Sequence, residues 1–200
     1  MQKLFLIITT ILASSLLGGC VGSIKPDAKA LDFYDFGLAS AQSRIEPKLP
    51  IDSLSASDAI QNNKIRYRLN YRNPTQIYGF AESRWSTLPL DLVRQKLGNG
   101  TLPQQQCSVK LQLVAFDQVF DSPSSNKGVV QIQSALIDRK NRSVLASTLI
   151  EASSDAPSAD VKGGVTALDA ASSTALKQAL SWAEQAAANT ANCYPPSPTN

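Results

Sequence analysis

Residues 107–116 read CSVKLQLVAF, and this segment decides the fold that we expect for the chain. Apolar and polar side chains alternate from Cys107 to Leu113, which is typical of a strand with one buried and one solvated face. The run from Val114 to Phe116 breaks the alternation. It therefore predicts either a β-bulge or a strand buried on both faces.

The residues after this strand extend it into a meander. Turn-forming residues occupy 121–128 (DSPSSNKG). Two further strand-like runs, 129–139 and 144–151, surround a second polar turn at 138–141. We therefore expect residues 107–151 to form three antiparallel strands.

Other strands precede the meander. The clearest alternation is KIRYRLNY at 64–71, where apolar and polar residues take turns along the chain. Shorter strands are predicted at 31–36, 49–54 and 76–80. The basic residues of 64–71 fit the solvated face of its strand.

A first helix is predicted after Trp85. The next apolar positions lie on one helical face, Pro89 suits a first turn, and Gly98 suits the end. Ser86 or Thr87 is the expected N-cap.

A second, longer helix is predicted over 161–183, where apolar residues recur every three or four positions. Gly163 and Gly164 weaken its first turns. The capping-box spacing of Thr166 and Asp169 suggests that the firm part begins there. Two helices and about six strands predict an α/β sandwich with a mixed, largely antiparallel sheet.

The amino terminus predicts export and a lipid anchor. Lys3 precedes an uncharged apolar run that is short for a membrane span. The run ends in LGGC, which resembles the bacterial lipobox. Cys20 would then carry an N-acyl/S-diacylglycerol lipid, and Val21, which is not aspartate, favours the outer membrane. The alternative is an ordinary secreted protein.

This interpretation divides the chain into four parts. Residues 1–19 are a lipoprotein signal peptide, 20–30 a tether, 31–190 a single domain, and 191–200 a proline-rich tail. The expected location is the periplasmic face of the bacterial outer membrane.

The composition argues against most catalytic chemistry. These 200 residues contain no histidine, so histidine-based triads and histidine zinc sites are excluded from them. The formal net charge is only +3, and no basic run suggests nucleic acid. Four carboxylates in or near predicted strands are the remaining catalytic candidates: Asp117, Asp121, Asp138 and Glu151. We expect no enzyme activity, no cofactor and no metal.

Two cysteines remain once Cys20 is assigned to the lipid. Cys107 and Cys193 flank predicted elements, and an oxidising compartment favours a disulfide between them. The alternative is two separate buried thiols.

Several segments together resemble one family. The lipobox, the strand YRLNYR at 67–72, the segment YGFAESRW at 78–85, the meander and the alanine-rich last helix resemble the ABC-type transport auxiliary lipoproteins. This family includes the lipoprotein subunit of the paraquat-inducible (Pqi) system. The resemblance covers nearly all of residues 20–190.

The resemblance implies a fold and a role. The fold would be similar to the amino-terminal domain of TolB. The protein would be a non-catalytic subunit that docks an MCE-type periplasmic protein and, through it, an inner-membrane transporter, so that lipid passes between membranes. A homo-oligomer is also possible within this role.

The candidate docking residues are chosen by residue type. Arg84 and Trp85 are of the types that dominate interface hot spots, and Tyr78 and Phe80 lie close by. The alternative is that Trp85 packs under the first helix and Arg84 covers it. Two other functions stay open, a periplasmic carrier that binds one lipid and a Tol-like structural lipoprotein.

Overall fold

The computed structural model describes four stretches of the chain: residues 30–38, 44–98, 105–191 and 193–194. The predicted signal peptide, the lipidated Cys20, all but the last residue of the tether and most of the proline-rich tail lie outside these residues. Apart from Ala30, the described residues belong to the domain that begins at Leu31.

Seven strands and two helices make up the described part of the chain. In chain order they are β1 (Asp32–Tyr34), β2 (Ile51–Ala56), β3 (Lys64–Leu69), β4 (Asn73–Trp85), α1 (Pro89–Arg94), β5 (Cys107–Ser122), β6 (Ser125–Asp138), β7 (Ser143–Asp155) and α2 (Val161–Ala188). One 3₁₀ turn, Asp58–Ile60, joins β2 to β3.

All seven strands belong to one mixed sheet in which β5 pairs with three others. The order is β1-β4-β3-β5-β6-β7, and β2 also pairs with β5. Along one edge of β5, β2 pairs in parallel with the first part of the strand, and β3 pairs in parallel with the later part. Along the other edge, β6 and then β7 form the antiparallel meander. The predicted α/β sandwich with a mixed sheet is confirmed.

The predicted irregularity in β5 is confirmed as a bulge. The register with β6 shifts between Leu113 and Ala115, so the side chains that face α2 change from odd-numbered to even-numbered positions. The turn after β5 is tighter than predicted. Only Pro123 and Ser124 separate the strands, and the rest of 121–128 belongs to β5 or β6.

Helix α2 covers one face of the sheet, which we call the covered face. On the covered face, β5 and β6 carry five buried side chains, Val109, Leu111, Phe116, Val130 and Ile132. The opposite side, the open face, carries Lys110, Asp117, Gln131 and, on β7, Glu151. Burying the aliphatic positions beneath α2 supplies most of the hydrophobic stabilisation.

Helix α2 begins at Val161, as the apolar periodicity predicts, whereas the later start that the capping-box spacing suggests at Thr166 is wrong. Asp160 is the N-cap, and its Oδ1 accepts a hydrogen bond of 2.8 Å from the backbone N–H of Gly163. The two glycines allow a close approach at this end, where a Cβ on Gly163 would lie 2.1 Å from the carbonyl oxygen of Ser158. A Cβ on Gly164 would collide with the Gln118 side chain, and one on Gly128 would lie 2.5 Å from the Leu168 nitrogen.

Helix α1 is shorter than predicted and is not capped by a hydroxyl. Its N-cap is Leu88, which makes no side-chain capping bond, so the prediction of Ser86 or Thr87 is wrong. Pro89 does occupy the first turn. The Thr87 hydroxyl instead lies 3.4 Å from an oxygen of Asp91.

A disulfide and an ion pair are among the links that fasten the helices to the rest of the domain. Cys107 at the start of β5 and Cys193 after α2 form the predicted disulfide, and they are 86 positions apart in sequence. An ion pair joins Lys96, after α1, to Asp169 of α2. Neither described helix is long and apolar enough to cross a membrane.

Candidate docking surface

Four aromatic side chains from three strands form a cluster on the covered face, beyond the first turn of α2. The Tyr67 ring lies 5.2 Å from Tyr78, 4.7 Å from Phe80 and 5.9 Å from Phe120, measured between centroids. Phe120 is buried, whereas the other three rings are half-buried. We call these four residues the aromatic cluster. It contains two of the docking candidates, Tyr78 and Phe80.

Trp85 lies in the core. Its side chain is 1% exposed and packs against Phe36 and Phe116, with ring centroids 5.8 and 5.5 Å away. A ring with almost no exposed surface offers nothing to a partner. The geometry therefore favours the core alternative for Trp85 over the docking one.

Arg84 makes hydrogen bonds to the backbone of its own strand, β4. Its Nη1 donates hydrogen bonds to the carbonyls of Phe80, Ala81 and Ser83, at 2.7, 3.1 and 2.8 Å. The β3–β4 register changes in this segment, because β4 has extra residues that β3 does not match. Arg84 thus provides hydrogen bonds to three carbonyls in and beside this irregular segment. Its role is to hold the backbone that carries Phe80.

The open face contains a buried carboxylate between two arginines. Asp117 is 2% exposed, and its oxygens lie 2.7 Å from Arg66 Nε and 2.7 Å from Arg68 Nε. Arg66 Nη2 also donates a hydrogen bond to Asp117 at 3.0 Å, and Arg66 Nη1 donates one to the carbonyl of Ala59 at 2.7 Å. Two cations thus balance one buried anion, as a buried charge requires.

This ion cluster is the main contact that the sequence did not reveal. The alternation at 64–71 placed Arg66 and Arg68 on the solvated face, although Arg66 is buried. The only signal was an aspartate, Asp117, inside a strand-like run 49 residues beyond Arg68. Its pairing with β3 depends on a parallel register that no local pattern specifies.

Each of the other candidate carboxylates has a local partner. Asp121 lies 3.0 Å from Lys127, whose hydrogen bond lowers the pKa of that carboxyl. The backbone N–H of Asn141 lowers the pKa of Asp138 in the β6–β7 turn. Glu151 accepts a hydrogen bond of 2.5 Å from Gln131. These contacts account for the four carboxylates as parts of the sheet and its turns.

A shallow groove of about 490 Å³ lies at one end of the open face. Three cations and one anion line it together with two aliphatic residues: Lys110, Arg139, Arg142, Asp52, Ile137 and Val144. The lining is charged rather than apolar. It suits contact with a polar or protein surface better than the acyl chain of a lipid.

The geometry defines the class as an α/β sandwich with one helix-covered face and one open face. Within that class, the fold is shared with a protein of Xanthomonas campestris from the family DUF330. The two superpose with a TM-score of 0.57 over 72% of this chain and 91% of that one, at 14% identity. A second solved structure, an uncharacterized protein, gives a TM-score of 0.56 over 78% and 99% of the two chains, at 10% identity.

These identities show a common fold and no more. A structure described as a candidate lipoprotein from Caulobacter crescentus aligns over 46% of this chain and 74% of its own, at 14% identity. Its TM-score of 0.33 is too low to indicate a shared fold. No family model and no curated protein matches the sequence.

Proposed function

We propose that this protein is a non-catalytic, lipid-anchored envelope subunit that docks an MCE-type periplasmic partner during lipid transport between membranes. Two things support the proposal. The sequence resembles the auxiliary lipoproteins over residues 20–190, and the fold is that of the Xanthomonas protein. The observation that carries the docking role is the aromatic cluster, in which three half-buried rings from β3 and β4 lie together on the covered face.

The anchor is inferred from the lipobox at residues 17–20. A cysteine with two or three acyl chains holds a membrane stably, whereas one chain does not. A Cys20→Ala chain that is exported by a different, cleavable signal should therefore leave the membrane fraction, and Val21→Asp should move the protein from the outer to the inner membrane. Fractionation of envelopes tests both. A Cys20→Ala chain that stays in the membrane would contradict the anchor.

The aromatic cluster fits a docking role for physical reasons. Aromatic side chains are enriched at protein interfaces because they bury a large area for little loss of conformational freedom. Here the rings of Tyr78 and Phe80 are packed on Tyr67, and Arg84 fixes the backbone that carries Phe80. The half-buried rings are thus held in place before a partner arrives.

Site-specific photo-crosslinking tests this surface in the full chain within its envelope. A photoreactive phenylalanine at Tyr78 should capture an MCE-type protein. The same group at Lys177, on the exposed side of α2, is the matched control. Equal capture at both positions, or no protein captured at Tyr78, would contradict docking through the cluster.

A truncation gives the expected size of the effect. If Phe80 is a hot spot of about 2 kcal/mol, Phe80→Ala weakens partner binding roughly 30-fold. Lys177→Ala should leave binding unchanged. Co-purification of the partner with each variant measures the difference, and the melting temperature of each variant separates lost binding from lost folding.

A further inference from the structure

Strand β7 has an outer edge with no partner strand in the described part of the chain. Its thirteen residues, Ser143–Asp155, pair with β6 along one side only. An edge of this kind presents a row of unpaired backbone N–H and C=O groups, which another strand can use.

The other edge of the sheet, formed by β4 and β1, is protected against further strand pairing. There β1 covers the end of β4, from Ser83 to Trp85, and the uncovered part of β4 contains Pro74 and two register shifts. By contrast, 143–155 contains no proline, lysine or arginine. Its single register shift lies at its beginning.

Side chains on β7 also favour a partner. Val144 is 62% exposed and Leu149 is 51% exposed. Leu149 is the seventh of the thirteen residues, so an apolar side chain marks the midpoint of the free edge. A strand added here would cover apolar surface as well as backbone groups.

The charges around β7 favour a second copy of this chain, in antiparallel orientation, as the partner. The turn before the strand is basic, with Arg139, Lys140 and Arg142, whereas its far half carries Glu151 and Asp155. A second β7 in antiparallel orientation brings the basic turn of each copy beside the acidic end of the other. A parallel copy would place like charges together, which is unfavourable.

We propose that β7 is a self-association edge, on which two copies of this chain pair antiparallel about a two-fold axis at Leu149. The sheet then continues from one copy into the other. Each Leu149 lies opposite its counterpart, and Ser143 of one copy lies opposite Asp155 of the other. The interface is isologous, so both copies use the same residues.

Cysteine crosslinking in the full chain tests the position of the axis. Opposite residues of an antiparallel pair have Cβ atoms about 5 Å apart, close enough for a disulfide after small shifts. Leu149→Cys should give a reducible dimer, at least about tenfold more than Lys110→Cys, which is exposed on the open face away from this edge. The parent chain supplies the background from its own cysteines.

The outcomes of this test separate the alternatives. A dimer from Leu149→Cys that exceeds the control supports the proposal. Equal yields from the two variants indicate random collision and overturn it. A crosslinked product of another mass indicates that a strand of a different protein occupies the edge, and this also overturns it.

A mixed experiment tests the orientation. Ser143→Cys and Asp155→Cys chains, expressed together, should form a crosslinked heterodimer, while neither should crosslink efficiently alone. Efficient crosslinking of Ser143→Cys with itself would mean parallel pairing and would overturn the antiparallel arrangement.

One substitution should abolish the dimer without unfolding the chain. Leu149→Lys places two like charges together at the axis, and the half-exposed site tolerates a lysine in the monomer. Light scattering of the full chain in detergent should then report a monomer with an unchanged melting temperature. A Leu149→Lys chain that remains dimeric would contradict the proposed axis.

Discussion

On the covered face of the sheet, helix and strand approach so closely that a single added methyl group has no room. On the open face, by contrast, one buried carboxylate lies between two arginines. The first arrangement depends on Gly128 and Gly164, which lie directly against α2 and Gln118. The second depends on Asp117 and its two arginine partners. The covered face is thus fixed by shape and the open face by charge, and each should respond to a different perturbation.

The disulfide should give the largest effect, because it closes the covered face at the end of α2. Replacing Cys107 and Cys193 together by serine removes a crosslink between positions 86 apart in sequence. The chain-entropy model for a loop of this length gives a loss of roughly 4 to 5 kcal/mol in the free energy of unfolding. Urea denaturation under oxidising conditions measures it. An unchanged denaturation midpoint would mean that α2 is held without the crosslink.

The buried carboxylate should give the next largest effect. Asp117→Ala leaves two arginines facing each other, and breaking a buried pair costs about 3 kcal/mol or more. We expect the low end, because Arg68 is partly exposed and water can solvate it. Glu151→Ala, on the same face but exposed, is the control and should change stability little. Similar losses in both variants would contradict the role given to charge on this face.

A methyl group on the covered face tests the role of shape. Gly128→Ala places a Cβ 2.5 Å from the Leu168 nitrogen, so α2 must move, and we expect a loss of about 2 kcal/mol. Gly79→Ala is the matched control, because its Cβ would lie no closer than 3.7 Å to another side chain. Thermal denaturation of the two variants should separate them clearly.

The cap of α2 should show a smaller, pH-dependent effect. The backbone N–H of Gly163 is the main cause that lowers the pKa of Asp160 below its ordinary 3.8. Because the pKa of Asp160 is lower in the folded chain than in the unfolded chain, its ionised carboxylate stabilises the folded state above pH 3.8. This contribution disappears as the pH falls through the pKa that Asp160 has in the folded chain. Asp160→Ala should cost about 1 kcal/mol at neutral pH.

An isosteric variant isolates the titration of this cap. Asp160→Asn keeps a capping oxygen but cannot ionise, so its stability should fall less than that of the parent chain as the pH drops below 3.8 and through the folded pKa of Asp160. Parallel acid-denaturation curves for the two chains would show that Asp160 does not contribute to the pH dependence.

The smallest change in the free energy of unfolding is expected for Leu149, on the free edge strand β7. Leu149→Lys should alter the stability of the monomer by less than about 0.5 kcal/mol, since the side chain is half exposed. Chemical denaturation at low protein concentration measures this value apart from any self-association. A large loss would mean that Leu149 belongs to the core.

Local patterns in the sequence are sufficient to predict those parts of the fold that depend on one element or on neighbouring elements. The alternation in CSVKLQL, the break at Val114 and the apolar stripe of α2 each reflect the geometry of one element, and the structure confirms them. The meander is also predictable, because its strands are joined by short turns. Pairing in such a unit is set by chain connectivity.

Contacts between distant residues are not accessible in the same way. The parallel pairing of β2 and β3 with β5 depends on which long connections pack, and no pattern in the sequence encodes this register. The contribution of the glycines at 163 and 164 is hidden for the same reason, because it comes from Gln118 and Ser158, outside the helix. At the candidate surface, residue type singles out Tyr78 and Phe80, but only the fold shows that Trp85 is buried.

The shared edge of β5 has a consequence for the order of folding. Strand β3 can first pair with its neighbour β4, but β2 pairs only with β5 among the described strands, so β2 cannot join the sheet until β5 has been made and placed. The meander forms through short-range contacts, which are fast, whereas the parallel pairs close long loops, which are slow. Pulse-labelling by hydrogen exchange should therefore show amides of β6 protected before those of β2. A strand that is synthesised early would then be among the last to join the sheet.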